Sequence, residues 1–329
     1  MNRASNSVFI TGGSGFIGRH LVEGLINHGY RVRVLARRMP EGLNSSAEVV
    51  LGDLTQPESF ASSLDGVSTV IHAALTDGLT RDLQATSKLN QLSAAAGVGQ
   101  FLHLSTISVY GNPMNGTITE ETPPIASGDA YSSTKLAIEE ALRTPPGCPE
   151  VAILRLGCVY GPGGGWWTHG LLNMMAHGKL ILVNGGSGCA NLIHVEDVCA
   201  MALLLMERSN PPFEIYNVTD GRPVAWSRYF GEIEKILGRA ATVAMSAAQA
   251  REYGRKWLKP SLPRRALRKL TGTTVIHPLD DSAIRGYAST AVYSNEKAGR
   301  LVGFLPAYDF ESGIGTIRAE YNPRLDRAS

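Results

Sequence analysis

The feature that most constrains this chain is a rhythm. Through its first half, short runs rich in β-branched residues alternate with amphipathic stretches. Candidate strands cover residues 8–11, 31–36, 48–51, 69–73, 101–105 and 151–156. Between them lie segments such as "GRHLVEGLINHG", where Leu21, Leu25 and Ile26 share one helical face. Strands that alternate with helices of roughly 10–15 residues call for right-handed crossovers and a parallel sheet covered on both sides. The expected class is therefore α/β, with a doubly wound parallel sheet. After about residue 157 the rhythm loosens into Gly-rich loops, "YGPGGGWW" and "VNGGSG", with one clear helix in "HVEDVCAMALLLMER".

The first strand runs directly into "TGGSGFIGRHL", which sets Gly13, Gly15 and Gly18 in G-x-G-x-x-G order at a strand–turn–helix junction. Glycines there permit a tight turn and let the backbone approach a pyrophosphate, whose charge meets the N–H groups at the helix start. A bare motif of this kind is weak, but this one stands in the required context, and it points to a dinucleotide in a Rossmann fold. The candidate contacts in the loop are Gly12, Gly13, Gly15, Phe16, Ile17 and Gly18.

The end of the second strand bears on which dinucleotide is held. An acid there would bond the ribose 2′-hydroxyl of NAD, whereas arginine meets the 2′-phosphate of NADP. The sequence reads "RVRVLARRMP", with Ala36 in the acid's place followed by Arg37 and Arg38. NADP(H) is favoured and NAD(H) is the alternative. Asp53 and Leu54, in "LGDL" after the third strand, are placed to meet the adenine end.

In "DAYSSTKLAIEEALR", Tyr131 and Lys135 stand four apart behind Asp129, a helix-capping residue. Four residues turn a helix by about 400°, so both side chains leave on nearly one face. Alone, the pair reads as a proton-transfer couple or as part of an apolar stripe that Ile138 and Leu142 continue.

Composition excludes little but is consistent. The chain has 329 residues, 43% hydrophobic and 18% charged, with a net charge of +2, which singles out no polyanionic partner. Nucleic acid is not expected, because no binding motif accompanies the basic residues. No apolar run approaches the ~18 residues of a membrane span. The opening "MNRASNSVFITGG" lacks a signal-peptide core, so cytoplasm is the default location. Cys148, Cys158, Cys189 and Cys199 form no C-x-x-C pair, and no metal site is expected. His194, Glu196 and Asp197 are spaced too closely to converge from one helix face, and His194 reads as a bonded structural residue.

Together, "TGGSGFIG", "GDL", "IHAA", "LSTISVYG", "YSSTK", "RLGCVYGP" and "HVEDV" resemble the extended short-chain dehydrogenase/reductase family, of the NAD(P)-dependent epimerase/dehydratase type. The likeness runs from about residue 7 to 240 and returns near the C-terminus. It implies a cofactor-binding domain over residues 1–160, to which later segments return. It also implies a smaller, mainly substrate-binding domain over 161–329, including a basic insertion at about 245–290. The catalytic residues it implies are Thr106, Tyr131 and Lys135, with Ala73 and Ala74 lining the cofactor. Substrate contacts fall on Thr106, Tyr131, Tyr160 and Gly161, and a homodimer would form through the tyrosine helix. An ammonium beside the phenol is expected to lower its pKa from about 10 and so aid proton transfer.

The expected activity is NADP-dependent reduction of a small-molecule ketone or aldehyde, or oxidation of the alcohol, with Tyr131 as acid/base. A nucleotide-sugar epimerase, dehydratase or reductase is the alternative. Two departures from the family pattern matter. Asp82 stands where asparagine is common, and Gly157 replaces the asparagine typical of nucleotide-sugar enzymes. The run 251–270, with eight basic residues and one acid, reads as a solvated helix in the substrate cap. Its short apolar face, from Leu262 to Leu270, could instead meet a lipid-like substrate.

Overall fold

Successive side chains of a strand face opposite ways, and the first strand shows it. In the computed structural model, Val8 and Ile10 enter one core cluster while Phe9 enters another. The structure describes residues 6–76, 78–125, 129–143, 149–208, 211–258 and 275–325. The apolar face expected at 262–270, and Cys148, lie outside them.

The chain alternates as its sequence implies: β1 (Ser7–Thr11), α1 (Phe16–Asn27), β2 (Arg31–Ala36), β3 (Glu48–Leu51), β4 (Thr69–His72), α2 (Leu79–Ala95) and β5 (Gln100–Thr106). A short β6 (Thr117–Ile118) precedes α3 (Ala130–Ala141) and β7 (Glu150–Leu156). Then follow β8 (Cys158–Tyr160), α4 (Leu171–His177), β9 (Leu180–Val183), β10 (Cys189–Ala190), β11 (Leu192–His194) and α5 (Val195–Met206). The remainder runs through β12 (Phe213–Val218), β13 (Val224–Ala225), α6 (Trp226–Leu237), β14 (Thr242–Met245) and α7 (Ala247–Trp257). It ends with α8 (Asp281–Ala288), β15 (Val292–Tyr293), α9 (Glu296–Val302) and α10 (Phe310–Leu325).

Seven parallel strands form the main sheet in the order β12-β7-β5-β4-β1-β2-β3. The order reverses between β1 and β4, and a ligand of such a sheet sits outside the strand ends at that switch point. The glycine loop leaves β1 at this place. Strand β12 was not legible beforehand. Its "FEIYNV" interrupts the apolar run with Glu214 and Asn217, so nothing in its pattern marked it as a seventh parallel strand. A second apolar core, rich in aromatic residues, joins α4, α6 and α10 beyond β7. Among the described residues no helix is long and apolar enough to cross a membrane.

Two histidines tie the later elements to the glycine-loop helix. His194 stacks on Tyr308 at 3.9 Å between centroids. Its Nδ1 accepts from the Glu196 amide, and its Nε2 lies 3.1 Å from Thr316 Oγ1. Thr316 already donates to the Gly313 carbonyl, so the His194 Nε2–H is the donor in that contact. Burial lowers this ring to about 4, so it is neutral and structural, as its sequence context implied. His20, on α1, is the opposite case. Its Nδ1 lies 2.6 Å from Glu196 Oε1 and its Nε2 3.0 Å from the Pro162 carbonyl, so both ring nitrogens face acceptors. Only the doubly protonated ring satisfies both. Burial alone would lower its pKa, but the Glu196 bond, the Pro162 carbonyl and the charges of Glu196 and Glu320 raise it overall.

Because the folded ring keeps its proton above the usual value of about 6.5, this contribution is full below that pH and fades as pH rises through the raised value. The Tm advantage of the parent over His20→Gln should therefore shrink as the pH rises above about 6.5. An advantage that grew with pH would contradict the charged ring.

Candidate active site

The glycine loop is shaped by close approaches that no side chain would permit. At Gly12, with φ +75°, an added Cβ would lie 2.7 Å from the Ala73 carbonyl carbon and the Ala74 nitrogen. At Gly18 it would lie 2.1 Å from the Gly12 carbonyl oxygen. Gly13 meets Val34 at 2.6 Å in the same sense. The loop is therefore drawn down between β4 and the start of α1. No side chain caps α1 at Gly15, so the first-turn amides keep their donors for an anion. These residues fit a dinucleotide pyrophosphate. Phe16, Ile17 and Ala73 also reach the wall of the large cavity beyond, while Leu54 is buried in the core beneath β3.

Arg37 and Arg38 stand exposed just past β2, and Asp53 lies past the neighbouring β3. Asp53 accepts from the Thr55 amide and hydroxyl, both at 2.8 Å. These bonds, and more weakly the charge of Arg37, hold its carboxyl below the usual range. Arginine and acid thus lie close together past the ends of neighbouring strands.

At the other end, Thr106 closes β5 and Tyr131 and Lys135 rise from α3, whose first turn Asp129 caps through Ser132 N at 2.8 Å. The three side chains meet at the cavity wall. Tyr131 bonds Thr106 through its hydroxyl, and although 44% of its surface opens into the cavity, burial is the main influence on it. The phenol is pushed above its ordinary value, and Asp129 and Asp82 add to the effect. This corrects the expectation that Lys135 lowers it. The ammonium is engaged elsewhere, donating to the Leu104 carbonyl at 2.9 Å, and burial brings its own pKa down to about 8.

Beneath Lys135 lie two buried histidines that sheet register places side by side, His72 on β4 and His103 on β5. The Thr86 hydroxyl donates to the Asp82 carbonyl, so it accepts from His72 Nε2 at 2.9 Å. His72 Nδ1 is then the acceptor for Thr11 Oγ1 at 2.6 Å. Burial, reinforced by the charge of Lys135, lowers His72 to about 3 and His103 well below the usual value. Both are neutral. The Asp82 carboxylate itself accepts from the Thr76 amide. The aspartate at this departure from the family pattern therefore pins the turn into α2 and faces Lys135 electrostatically.

The sequence did not single out Glu139. It follows Lys135 by four residues, so it lies on the same face of α3. It accepts from Ser105 at 2.5 Å and pairs with Arg155 of β7 at 2.6 Å, both partners of the ion pair being 2–3% exposed. Arg155 in turn lies 4.6 Å over the Tyr110 ring. Ser105 thus faces away from Thr106 and into this network, as strand alternation required.

The cavity has a volume of about 750 Å³ and runs from Phe16 and Ala73 past Tyr131 to α4, α6 and α8. Tyr160 and Gly161, expected at the substrate, are not on its wall. Tyr160 is 1% exposed and packs edge-on to His194 and Tyr229. A Cβ on Gly161 would strike Val195 at 2.8 Å. The wall in this stretch comes instead from Gly157 to Val159 and from Trp166 and Trp167. Gly157 itself has no room for a side chain, since a Cβ would lie 2.4 Å from the Asn191 carbonyl oxygen.

Removing one partner of a buried ion pair strands the other, whereas replacing both by apolar groups is nearly neutral. Glu139→Gln should cost about 3 kcal/mol in urea unfolding, and Glu139→Met with Arg155→Leu clearly less. Additive losses in the double variant would contradict a paired network.

A model of the NAD-dependent epimerase/dehydratase family matches residues 8–219. A ketoreductase of Stigmatella aurantiaca, named for a farnesylated dihydroquinoline oxide, is 25% identical over 94% of this chain and 95% of its own. The 2-alkyl-3-oxoalkanoate reductase of Stenotrophomonas maltophilia is 24% identical over 95% and 98%. The NAD-bound dTDP-glucose 4,6-dehydratase of Streptomyces venezuelae superposes with a TM-score of 0.72 at 23% identity, covering 98% of each chain. With the family match spanning most of the cofactor-binding sheet and the glycine cradle in place, the chain belongs to the NAD-dependent epimerase/dehydratase family and is an NAD(P)-dependent enzyme.

Proposed function

We propose that this protein is an NADP-dependent reductase of a small-molecule ketone or aldehyde, working in reverse as an alcohol dehydrogenase. The observation that carries the reading is the Tyr131 hydroxyl, bonded to Thr106 at the cavity wall with Lys135 one helical turn on. The names of the Stigmatella and Stenotrophomonas relatives, both reductases of keto compounds, support it. So does Gly157, whose contact with Asn191 leaves no space for the asparagine side chain of nucleotide-sugar enzymes.

When bound, the nicotinamide supplies a hydride to the carbonyl carbon. The chain supplies the rest. Thr106 holds the carbonyl oxygen by a hydrogen bond. Tyr131 gives its phenolic proton to that oxygen as negative charge develops there. A phenol at or above its ordinary value of about 10 is protonated at neutral pH, and an alkoxide is a strong enough base to take that proton. Lys135 would hold the ribose hydroxyls beside the reacting ring. The neutral His72 and His103 below it add no competing cation. Arg37 and Arg38 would receive the 2′-phosphate, which makes NADP(H) the preferred cofactor.

Tyr131→Phe should lose about a hundredfold or more of the NADPH-dependent activity on a carbonyl panel while still binding NADPH. Activity equal to the parent's would remove Tyr131 from the mechanism. Replacing Arg37 and Arg38 by alanine should raise the KM for NADPH about tenfold or more and leave the KM for NADH nearly unchanged. A parallel rise for both cofactors would contradict the 2′-phosphate role.

A further inference from the structure

The cavity changes character along its length, and its far end has no part in the chemistry above. Near Tyr131 the wall is polar but mostly uncharged, with Thr106 and Ser108, while Asn112 reaches across to Ser282 of α8. Beyond it, Trp167, Met174, Leu180, Trp226, Phe230 and Tyr287 close the space. Three of these rings form one packed group, with Trp226 5.3 Å from Trp167 and 4.8 Å from Tyr287. Charge is scarce. Among the described residues of the wall, Lys135 is the one cation, and it is bound to the Leu104 carbonyl beside the reacting centre. The acids are Asp129 and Asp280, which cap α3 and α8 through Ser132 N and Ala283 N, both at 2.8 Å.

Among the described residues of the far half, a diphosphate or carboxylate would meet acids and aromatic rings but no cation to offset its desolvation. An apolar chain would leave water for a preformed apolar wall instead. The space is ample as well, since about 750 Å³ lies in the upper part of the range for small-molecule sites, roughly 300–1,000 Å³.

We propose that the substrate is an amphipathic ketone, with an uncharged polar head bearing the carbonyl at Tyr131 and an apolar tail lying along the α4–α6–α8 wall. This rests on the reductase reading above and specifies its substrate class.

The test is NADPH oxidation against a series of β-keto esters whose alkyl chain grows from about four to about twelve carbons. Each added methylene should raise kcat/KM about three- to fourfold until the space is filled. Met174 is half-buried on α4, and Met174→Lys puts a charge on the tail wall. It should cut the ratio of long-chain to short-chain kcat/KM at least tenfold. Turnover that depends on Tyr131 but is flat along the series, or a Met174→Lys loss equal at every length, would overturn the substrate class and leave the reductase reading standing. If no member is turned over, while a UDP- or dTDP-sugar raises the Tm of the NADP-bound protein, both fall.

Discussion

One buried clamp decides whether the site exists. Glu139 of α3 takes a hydrogen from Ser105 of β5 and the guanidinium of Arg155 of β7, out of reach of water. Its own helix carries Lys135 one turn earlier and Tyr131 two turns earlier, so fixing Glu139 fixes the direction of both. Ile138 and Leu142, wholly buried against the sheet, supply the apolar half of the same attachment. Thr106 reaches the phenol because it is the neighbour of Ser105, facing the other way at the end of β5. Tyr131, Lys135 and Thr106 are thus set by one strand end and one helix face.

Burial governs the charges around this clamp. It raises the phenol of Tyr131, lowers the ammonium of Lys135 to about 8, and keeps His72 and His103 neutral beneath it. The same low-dielectric setting makes the Leu104 carbonyl and Asp82 important, since they are what an otherwise costly buried ammonium has for company. The raised phenol and the apolar cavity wall share one physical setting. The site is built from the carboxyl end of a fully covered parallel sheet and roofed by an aromatic second core.

Much of this was legible in the sequence, and the exceptions have physical causes. The six early strands and the glycine loop could be read because parallel strands covered on both faces show near-continuous apolar runs, and because the loop tolerates only glycine at Gly12 and Gly18. Tyr131 and Lys135 carried a spacing that a single helix imposes, and Thr106 followed from the family resemblance. Strand β12 could not be read, since polar residues break its pattern. Glu139 and Arg155 could not be read either, because a charge that is buried only through a partner on another element looks like any surface charge in one dimension. Tyr160 misled for the converse reason. A tyrosine beside a glycine-rich loop suggests a ligand, but its ring fills the core between His194 and Tyr229. The pKa of Tyr131 was misjudged because proximity of an ammonium says nothing of which carbonyl that ammonium has already bonded.

The account turns on net reduction rather than on a hydride borrowed and returned. The most direct measurement uses NADPH carrying deuterium at C4, a long-chain β-keto ester and mass analysis of the product. With both C4 hydrogens of NADPH replaced by deuterium, the carbinol carbon should gain one deuterium for every NADPH oxidised, and Tyr131→Phe should slow that labelling about a hundredfold or more. Product formed without net NADPH oxidation, the label remaining on a cofactor that stays with the protein, would contradict it.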